Sequence, residues 1–399
     1  MSDNVYIAGL GIIAAIGNNV QECLHALENE EAGIAYPVFL KTRHANEIPA
    51  AEVKLSNNAL AEKAGLSNKL SRTALLSMIA AEEALNDAAI EPRHALRCGF
   101  ISATTVGGID KTENFFAAVL KGDGKGNIHD VVHHDCGSIT QLVADKLDIN
   151  GYTTTINTAC SSSANSIMLA ARLIKNGMLD MAVAGGTDAL AKFTFNGFNT
   201  LMILDKEFCR PFDENRNGLN LGEGAGYVVL VSDEVAQRSN KAMYCMLKGY
   251  ANTNDAYHQT ASSPDGVGSY LAMQQALNAA YLNTGDIDYI NLHGTGTYNN
   301  DIAEGTAIQR LFEAPYPKMS STKSFTGHTL GASGGIEAVF SALAVKHGLI
   351  FPNLRLQTPM QEFSFVVETK LLKNQPVKNV LTNSFGFGGN CSSLIFSKL

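Results

Sequence analysis

Short apolar runs rich in β-branched residues alternate along this chain with longer segments of helical period. The apolar runs are Val5–Ala8, Thr153–Ile156, Met181–Ala184, Tyr227–Val231, Tyr289–Leu292, Val377–Leu381 and Leu394–Phe396. Helical period marks Leu75–Asn86, Ala164–Ile174, Tyr270–Leu282, Ile302–Phe312 and Ile336–Val345. Alternation of this kind is typical of proteins in which helices cover mostly parallel sheets. The pattern therefore predicts an α/β fold.

The two halves of the chain show a loose likeness to each other. Each half contains a strand, a polar or glycine-rich turn with a reactive side chain, and then a helix. The reactive residue is Cys160 in the first half, and His293 and His328 take that place in the second. We place the join near Ser239–Ala242, which predicts two units, residues 1–240 and 241–399.

Composition and charge exclude several classes of function. The chain has 399 residues, with 30 Lys or Arg against 38 Asp or Glu, which leaves a formal charge of −8. This excludes nucleic-acid binding through bulk positive charge. No apolar run reaches the ~18 residues of a membrane span, and residues Met1–Asn4 lack the basic segment of a signal peptide. We expect a cytoplasmic protein without nucleic-acid or membrane partners.

The seven cysteines include no CxxC pair, which argues against a disulfide framework or a zinc ribbon. His129, His133, His134 and Cys136 are spaced loosely like metal ligands, but they match no zinc pattern. We therefore expect reduced thiols and no metal site.

Cys160 has the most informative setting of the seven. It stands where the predicted strand Thr153–Ile156 turns sharply into a helix. The positive end of a helix and its free N–H groups favour a thiolate and lower the pKa of a cysteine below its usual ~8.5. An isolated cysteine in such a turn is more often an inert core residue. The strand-turn-helix context and the downstream histidines favour a nucleophile instead.

Three further turns in the second half carry groups of chemical interest. His293 follows the strand Tyr289–Leu292, and His328 stands between a short strand and a glycine-rich helix start. The turn Gly386–Gly389 separates the last two predicted strands, and its backbone N–H groups are free to face a ligand oxygen. Taken singly, each is more often structural. Together they place reactive groups on strand-end turns, where α/β sheets carry their sites.

These segments together resemble the β-ketoacyl-(acyl carrier protein) synthases, the elongating condensing enzymes of the thiolase superfamily. The matching text is Thr158-Ala159-Cys160-Ser161-Ser162, His293-Gly294-Thr295-Gly296-Thr297, Lys323-Ser324-Phe325-Thr326-Gly327-His328 and Asn383-Ser384-Phe385-Gly386-Phe387-Gly388-Gly389. Further matches are Arg210-Pro211-Phe212-Asp213, Gly222-Glu223-Gly224-Ala225-Gly226 and Asp255-Ala256-Tyr257-His258. The likeness spans nearly the whole chain, with the motifs in the order of the family.

The resemblance implies a thiolase-like fold in which two similar βαβαβ-type halves form a five-layered α-β-α-β-α core. It implies that Cys160 takes an acyl chain from acyl carrier protein, and that His293 and His328 drive decarboxylation of a malonyl thioester. The carbanion then attacks the acyl-enzyme in a Claisen condensation, in fatty acid, polyene or polyketide synthesis. No cofactor is implied, because the substrates arrive on the phosphopantetheine arm. A homodimer is expected, and a heterodimer with a related subunit is the alternative.

The resemblance also implies roles for single residues. The N–H groups of Cys160 and Phe387 would form an oxyanion hole, with Phe387 as a gate. Lys323 would orient His328, with Glu337 as its carboxylate partner. Further supporting residues are Asp301 and Glu304. The residues expected to bind pantetheine are Thr295, Thr297 and Thr260. The residues expected to dock the carrier protein are Lys69, Arg72, Arg210 and Lys125.

Two departures from the family pattern put local details in question. Tyr298-Asn299-Asn300 precede Asp301 where the family usually reads Pro-x-Gly, and Asn390 replaces the usual Thr after Gly389. The segment Lys192–Asp205 is more similar to synthases of aryl-polyene and related pigments than to housekeeping fatty acid synthases.

Other classes of protein share some of these features. A thiolase would carry a second cysteine just before the C-terminal glycine turn, where this chain has Asn383-Ser384-Phe385. A start-type condensing enzyme would have Asn in place of His328. A cysteine hydrolase offers no reason for the Lys323–His328 segment. A non-catalytic partner subunit would have lost the nucleophile, which is present here.

Overall fold

A computed structural model of the chain describes residues 4–91, 93–122, 124 and 126–399. The strands are β1 (Val5–Ala14), β2 (Cys98–Ala103), β3 (Tyr152–Ile156), β4 (Met181–Asp188), β5 (Gly224–Ser232), β6 (Cys245–Asn254), β7 (Tyr289–Asn291), β8 (Lys318–Ser320), β9 (Asn379–Phe385) and β10 (Asn390–Ser397). The helices are α1 (Val20–Glu28), α2 (Asn57–Ala64), α3 (Arg72–Ala88), α4 (Ile109–Lys121), α5 (Cys136–Lys146), α6 (Ser162–Lys175), α7 (Lys192–Thr200), α8 (Asp233–Arg238), α9 (Val267–Ala280), α10 (Tyr298–Leu311), α11 (Lys323–Thr326) and α12 (Ser333–His347).

The strands are hydrogen-bonded in the order β3-β2-β4-β5-β1-β6-β10-β9-β7-β8. Outward from the centre, the first half runs β1, β5, β4, β2, β3, and the second half runs β6, β10, β9, β7, β8. In the first half β2 is parallel to β3 and β4, and in the second β7 is parallel to β8 and β9. The chain therefore repeats one five-strand topology twice, which confirms the predicted α/β, thiolase-like fold class. The boundary near residue 240 stays a prediction.

Two buried helices lie between the halves. α6 packs on β2 and β4 of the first half and on β10 of the second, and α12 packs on β5 and β9. Every residue of α12 from Ser333 to Val345 is buried. Small residues allow the two helices to touch, since a Cβ added at Gly334 would lie 2.8 Å from the backbone nitrogen of Ala164. These helices form the middle layer of the core.

The outer helical layers cover the other faces of the strands. α3 packs on β1 and β5, with α2 and α5 beside it. α9 packs on β6 and β10, and α10 lies against α9. Close contact between α3 and β1 depends on Gly11, where an added Cβ would lie 2.0 Å from the carbonyl oxygen of Ala80. The sequence of layers is therefore helix, sheet, helix, sheet, helix, as predicted.

Every predicted strand and helix overlaps an observed one, but several elements escape the sequence patterns. β6 alternates buried and half-buried residues, so it shows no continuous apolar run. α4 has no buried residue in the isolated chain. Within the described ranges, no helix is both long and apolar enough to cross a membrane.

The turns with chemical interest all follow the carboxyl ends of parallel strands. Cys160 follows β3, His293 follows β7, Lys323 follows β8, and Gly386 follows β9. The carboxyl ends of parallel strands are where α/β sheets place their ligand sites.

Candidate active site

Cys160 lies in the turn between β3 and α6 and is 6% exposed. The residue before it, Ala159, has a φ of 54°, a left-handed conformation that alanine seldom adopts. Gly386 lies directly against this turn. A Cβ at Gly386 would stand 2.9 Å from the carbonyl oxygen of Thr158 and 3.1 Å from the nitrogen of Cys160. The cysteine turn and the glycine turn are therefore in backbone contact.

The thiol of Cys160 is less acidic than the sequence led us to expect. Burial raises the pKa of Cys160 to about 11, although the N–H groups of Phe387 and Cys160 and the charge of Lys323 act in the opposite direction. The predicted lowering of this pKa is therefore wrong for the free protein. The physical reason is that withdrawal of a thiolate from water outweighs the stabilisation that a helix end supplies.

The two predicted oxyanion donors both act on the Cys160 thiol. Hydrogen bonding from the backbone N–H groups of Phe387 and of Cys160 itself lowers the pKa of this thiol, against the larger effect of burial. Phe387 is held in place by its neighbour, because the N–H of Gly388 donates to the carbonyl of Gln259 at 2.8 Å. Two converging N–H groups are the arrangement that an oxyanion hole requires.

His293 and His328 face each other beside the cysteine. Their ring centroids are 5.4 Å apart and the rings are nearly perpendicular. The N–H of Leu330 donates to Nδ1 of His328 at 3.0 Å, so the ring proton of a neutral His328 lies on Nε2. Burial, together with the charge of Lys323, lowers the pKa of His328 to about 3 and holds the pKa of His293 well below its usual range. Both rings are therefore neutral at physiological pH.

Lys323 and Glu337 form a buried ion pair behind the histidines. Nζ of Lys323 donates to Oε1 of Glu337, and both side chains are almost completely buried. Burial raises the pKa of Glu337 to about 7, against the opposing effect of the Lys323 charge. The predicted partner of Lys323 is therefore in contact with it.

The two predicted supporting carboxylates hold the backbone of the His293 turn. Glu304 accepts the N–H groups of His293 at 2.9 Å and Gly294 at 2.8 Å. Asp301 accepts the N–H groups of Thr295 at 3.1 Å and Gly296 at 3.3 Å. Both carboxylates lie on α10, so this helix fixes the path of the turn from behind.

A cavity of about 460 Å³ unites the reactive groups. Its walls contain the predicted nucleophile, both histidines, the gate and all three predicted pantetheine residues: Cys160, His293, His328, Phe387, Thr260, Thr295 and Thr297. Lys323, Glu337, Asp301 and Glu304 lie behind this wall. The structure thus brings together the residues that the sequence placed on four separate turns.

A second, mostly apolar cavity of about 730 Å³ lies on the other side of Phe387. Cys160 and Phe387 line both cavities. The ring of Phe387 stacks on Phe198, with centroids 5.8 Å apart and an interplanar angle of 16°. This aromatic pair therefore stands between the two spaces.

Among the four cations predicted to dock the carrier protein, those that the structure describes do not line the cavity, and their environments differ. Arg72 is 6% exposed, and its NH2 lies 2.6 Å from Oε1 of Glu223. A surface docking role for Arg72 is therefore wrong, because its charge is neutralised inside the protein. Lys69 is exposed, and Arg210 pairs with Glu207. Lys125 lies outside the described residues.

Sequence reasoning assigned no role to Phe198 or Asp188. Phe198 belongs to the aromatic-rich segment of α7, which is a signal that points to a pocket wall. Asp188 is the last residue of β4 and follows Gly185-Gly186-Thr187. Only its hydrogen bonds in the folded protein indicate a role. No short motif marks it, since its partners come from distant parts of the chain.

Comparison with known proteins bears on this arrangement. Residues 2–236 match the family model of the beta-ketoacyl synthase N-terminal domain, and residues 244–357 match that of the C-terminal domain. The chain belongs to the β-ketoacyl synthase family. The 3-oxoacyl-[acyl-carrier-protein] synthase 2 of Staphylococcus aureus (strain COL) is 33% identical over 411 residues, which cover 100% of this chain and 99% of that protein.

Solved structures in the same family share the fold over the full length. The ishigamide ketosynthase/chain length factor has a TM-score of 0.93 and 28% identity, with 99% of both chains covered. A type II PKS ketosynthase, solved with its acyl-carrier protein and bound to the hexaketide, has a TM-score of 0.88 and 28% identity over 99% of both chains. β-Ketoacyl synthases are condensing enzymes of the acyltransferase type, and this chain is an enzyme of that class.

Proposed function

We propose that the chain transfers an acyl group from acyl carrier protein to Cys160 and condenses it with malonyl carrier protein to a β-ketoacyl product. The observation that carries this proposal is the shared cavity, in which one thiol, two neutral imidazoles and two converging N–H groups meet. The related Staphylococcus aureus protein is named for the same reaction.

In the first half-reaction, the Cys160 sulfur attacks the thioester carbonyl of the incoming acyl group. Because the pKa of Cys160 is about 11, the thiol gives up its proton as the new carbon–sulfur bond forms. The N–H groups of Cys160 and Phe387 stabilise the oxyanion of the tetrahedral intermediate, each worth roughly 3–4 kcal/mol in comparable sites. The pantetheine sulfur then leaves and takes up the proton that Cys160 has released.

In the second half-reaction, malonyl thioester loses CO₂, and the bonding electrons form an enolate. Nε2–H of His328 is a fixed donor for the enolate oxygen, because Nδ1 already accepts from Leu330. His293 supplies the second imidazole at the same position. The enolate carbon attacks the acyl carbonyl and a carbon–carbon bond forms. The Cys160 sulfur then leaves as a thiolate and takes up one proton from solvent.

The acyl chain is proposed to occupy the apolar cavity behind Phe387. Cys160 lines this cavity, so an acyl group on its sulfur has direct access to it. Phe193 and Phe198 of α7 present flat rings to the space. Flat aromatic walls suit a conjugated, planar chain, which supports a polyene substrate of the aryl-polyene type. Competition between saturated and polyunsaturated primers tests this choice.

The active form is proposed to be a dimer, either of two copies or with a related subunit. β3 is an edge strand that pairs only with β2 in the described chain, which leaves one side open for another strand. Apolar side chains are exposed on β3 itself, where Tyr152 is 41% exposed, and on α4, where Phe116 is 59% and Leu120 72% exposed. One structural neighbour is a ketosynthase in complex with its chain length factor, from Xenorhabdus doucetiae. Light scattering of the protein purified alone, and of the protein co-expressed with a related subunit, distinguishes a homodimer from a heterodimer.

The decisive experiment compares three cysteine variants. Cys160→Ala should abolish condensation, and Cys160→Gln should decarboxylate malonyl carrier protein without condensation, because an amide mimics the acylated sulfur. Cys23→Ala is the matched control, since Cys23 is buried and lines neither cavity. Near wild-type condensation by Cys160→Ala would overturn the proposed function.

A further inference from the structure

Asp188 is a fully buried carboxylate at the end of β4 that the mechanism above does not use. The hydroxyls of Thr104 and Thr105 each donate to it at 2.6 Å, and the N–H groups of Thr105 and Val106 donate at 2.9 and 3.2 Å. From the opposite side, the N–H of Gly331 donates at 2.7 Å. All these donors are neutral, so the carboxylate is held by directional hydrogen bonds.

The two groups of donors belong to segments with different tasks. Thr105 and Val106 form part of the wall of the apolar cavity behind Phe387. Gly331 belongs to the turn after His328, in which the N–H of Leu330 fixes the imidazole through Nδ1. Leu330 also lines the apolar cavity. One carboxylate therefore connects the cavity wall to the backbone that orients His328.

The segments around Asp188 are closely packed. A Cβ added at Gly331 would lie 2.9 Å from Oδ2 of Asp188 and 2.9 Å from Cγ2 of Thr105. Leu330 has a φ of 54°, an unusual conformation for a branched residue, which the surrounding contacts maintain. A shift of the carboxylate would consequently move both segments.

We propose that Asp188 is a positioning residue that sets both the orientation of His328 and the shape of the acyl cavity, so that decarboxylation and acyl-chain preference depend on one carboxylate. The inference rests on the proposed function, because both readouts are steps of that reaction. Asp188 touches no reacting atom in this scheme and acts through the turns that it holds.

The negative charge of Asp188 supplies an independent readout. Its charge contributes to the raised pKa of Cys160, after the larger effect of burial. Removal of the charge should lower the pH midpoint at which iodoacetamide alkylates Cys160. Removal should at the same time impair decarboxylation. General unfolding would also lower this midpoint, because it exposes Cys160 to water, so both readouts count only for a variant whose thermal midpoint shows that it is folded.

The test replaces Asp188 with Asn, which keeps the shape of the side chain. Asn has one acceptor oxygen, whereas the donors around Asp188 bind to two. We expect decarboxylation of malonyl carrier protein to fall roughly tenfold or more, since small misplacements of catalytic groups have large effects. The ranking of acyl primers should change, and Cys160 alkylation should shift to lower pH. Thermal midpoints are recorded alongside.

Asp213→Asn is the matched control. Asp213 is also fully buried, and it accepts the N–H groups of Asn215, Gln357 and Thr358 at 2.8, 2.6 and 2.9 Å. It lines neither cavity, so its loss should lower stability without changing primer ranking or the alkylation midpoint. Equal effects of the two variants on all three readouts would overturn the proposal.

The experiment also distinguishes failure of the proposed function from misfolding of the Asp188→Asn variant. If the wild-type protein neither decarboxylates malonyl carrier protein nor accepts an acyl group, the proposed function itself fails. If Asp188→Asn does not fold, Thr104→Val carries the test, because it removes a single donor that lies 2.6 Å from Asp188. An unchanged primer ranking in Thr104→Val would then refute the role of Asp188.

Discussion

The buried ion pair between Lys323 and Glu337 allows a quantitative prediction for the variant Lys323→Met. Burial raises the pKa of Glu337 to about 7 while Lys323 is present, and the loss of that cation raises it further. A carboxyl with a raised pKa costs stability as the pH rises towards its folded-state value. In the wild-type protein this loss ends near pH 7. In Lys323→Met it continues above pH 7.

The size of the effect follows from the linkage relation. Over the pH range in which Glu337 is still protonated in Lys323→Met but ionised in the wild type, the variant loses about 1.4 kcal/mol of unfolding free energy per pH unit relative to the wild type. The variant should therefore be nearly as stable as the wild type at pH 6 and less stable by about 2 kcal/mol at pH 8.5. Methionine has similar length to lysine and no charge, so the packing change is small.

The assay is urea unfolding at both pH values and a fixed protein concentration, followed by far-UV circular dichroism because the chain contains no tryptophan. Glu337→Gln is the opposite control: it leaves a buried ammonium without its partner, so its defect should shrink as the pH rises. A stability gap for Lys323→Met that is independent of pH, or larger at pH 6, would refute the reasoning.

Three more predictions concern the reaction. His293→Ala or His328→Ala should reduce malonyl decarboxylation by about a hundredfold or more, while acylation of Cys160 by labelled acyl carrier protein continues. Iodoacetamide alkylation of Cys160 should rise about tenfold per pH unit between pH 7 and 10, because the pKa is about 11, and a plateau near pH 8 would contradict this. Lys69→Glu with Arg210→Glu should raise the KM for acyl carrier protein mainly at low salt, with turnover of a small pantetheine thioester unchanged.

The composition of the catalytic site was readable from the sequence, because its residues stand in short turns with recognisable neighbours. The neighbouring residues in the sequence are enough to recognise Cys160 at a strand-helix corner and His293 before a Gly-Thr-Gly-Thr segment. The Lys323–His328 segment and the glycine turn at Gly386 are equally compact. Short-range patterns of this kind carry the family likeness, so fold class and reaction class followed from them.

The sequence could not determine the electrostatic state of these residues. The helix start after Cys160 predicts a lowered pKa, whereas burial of the thiol raises its pKa to about 11. Arg72 looks like a surface cation beside Lys69, but it lies inside the protein and pairs with Glu223, which is far away in the chain. Both properties depend on how much water reaches the group, and only the tertiary packing decides that.

Long-range connections were likewise hidden. Asp188 meets Thr104 and Gly331 only because β4 lies beside β2 and because α12 begins next to the end of β4. The stack of Phe198 on Phe387 joins residues separated by nearly half the chain. By itself, the sequence determined which chemical groups are available and which local turns carry them. The tertiary structure alone decided which of those groups share a cavity, which lose contact with water, and which distant carboxylate holds them in place, because each of these depends on contacts between segments that no local pattern encodes.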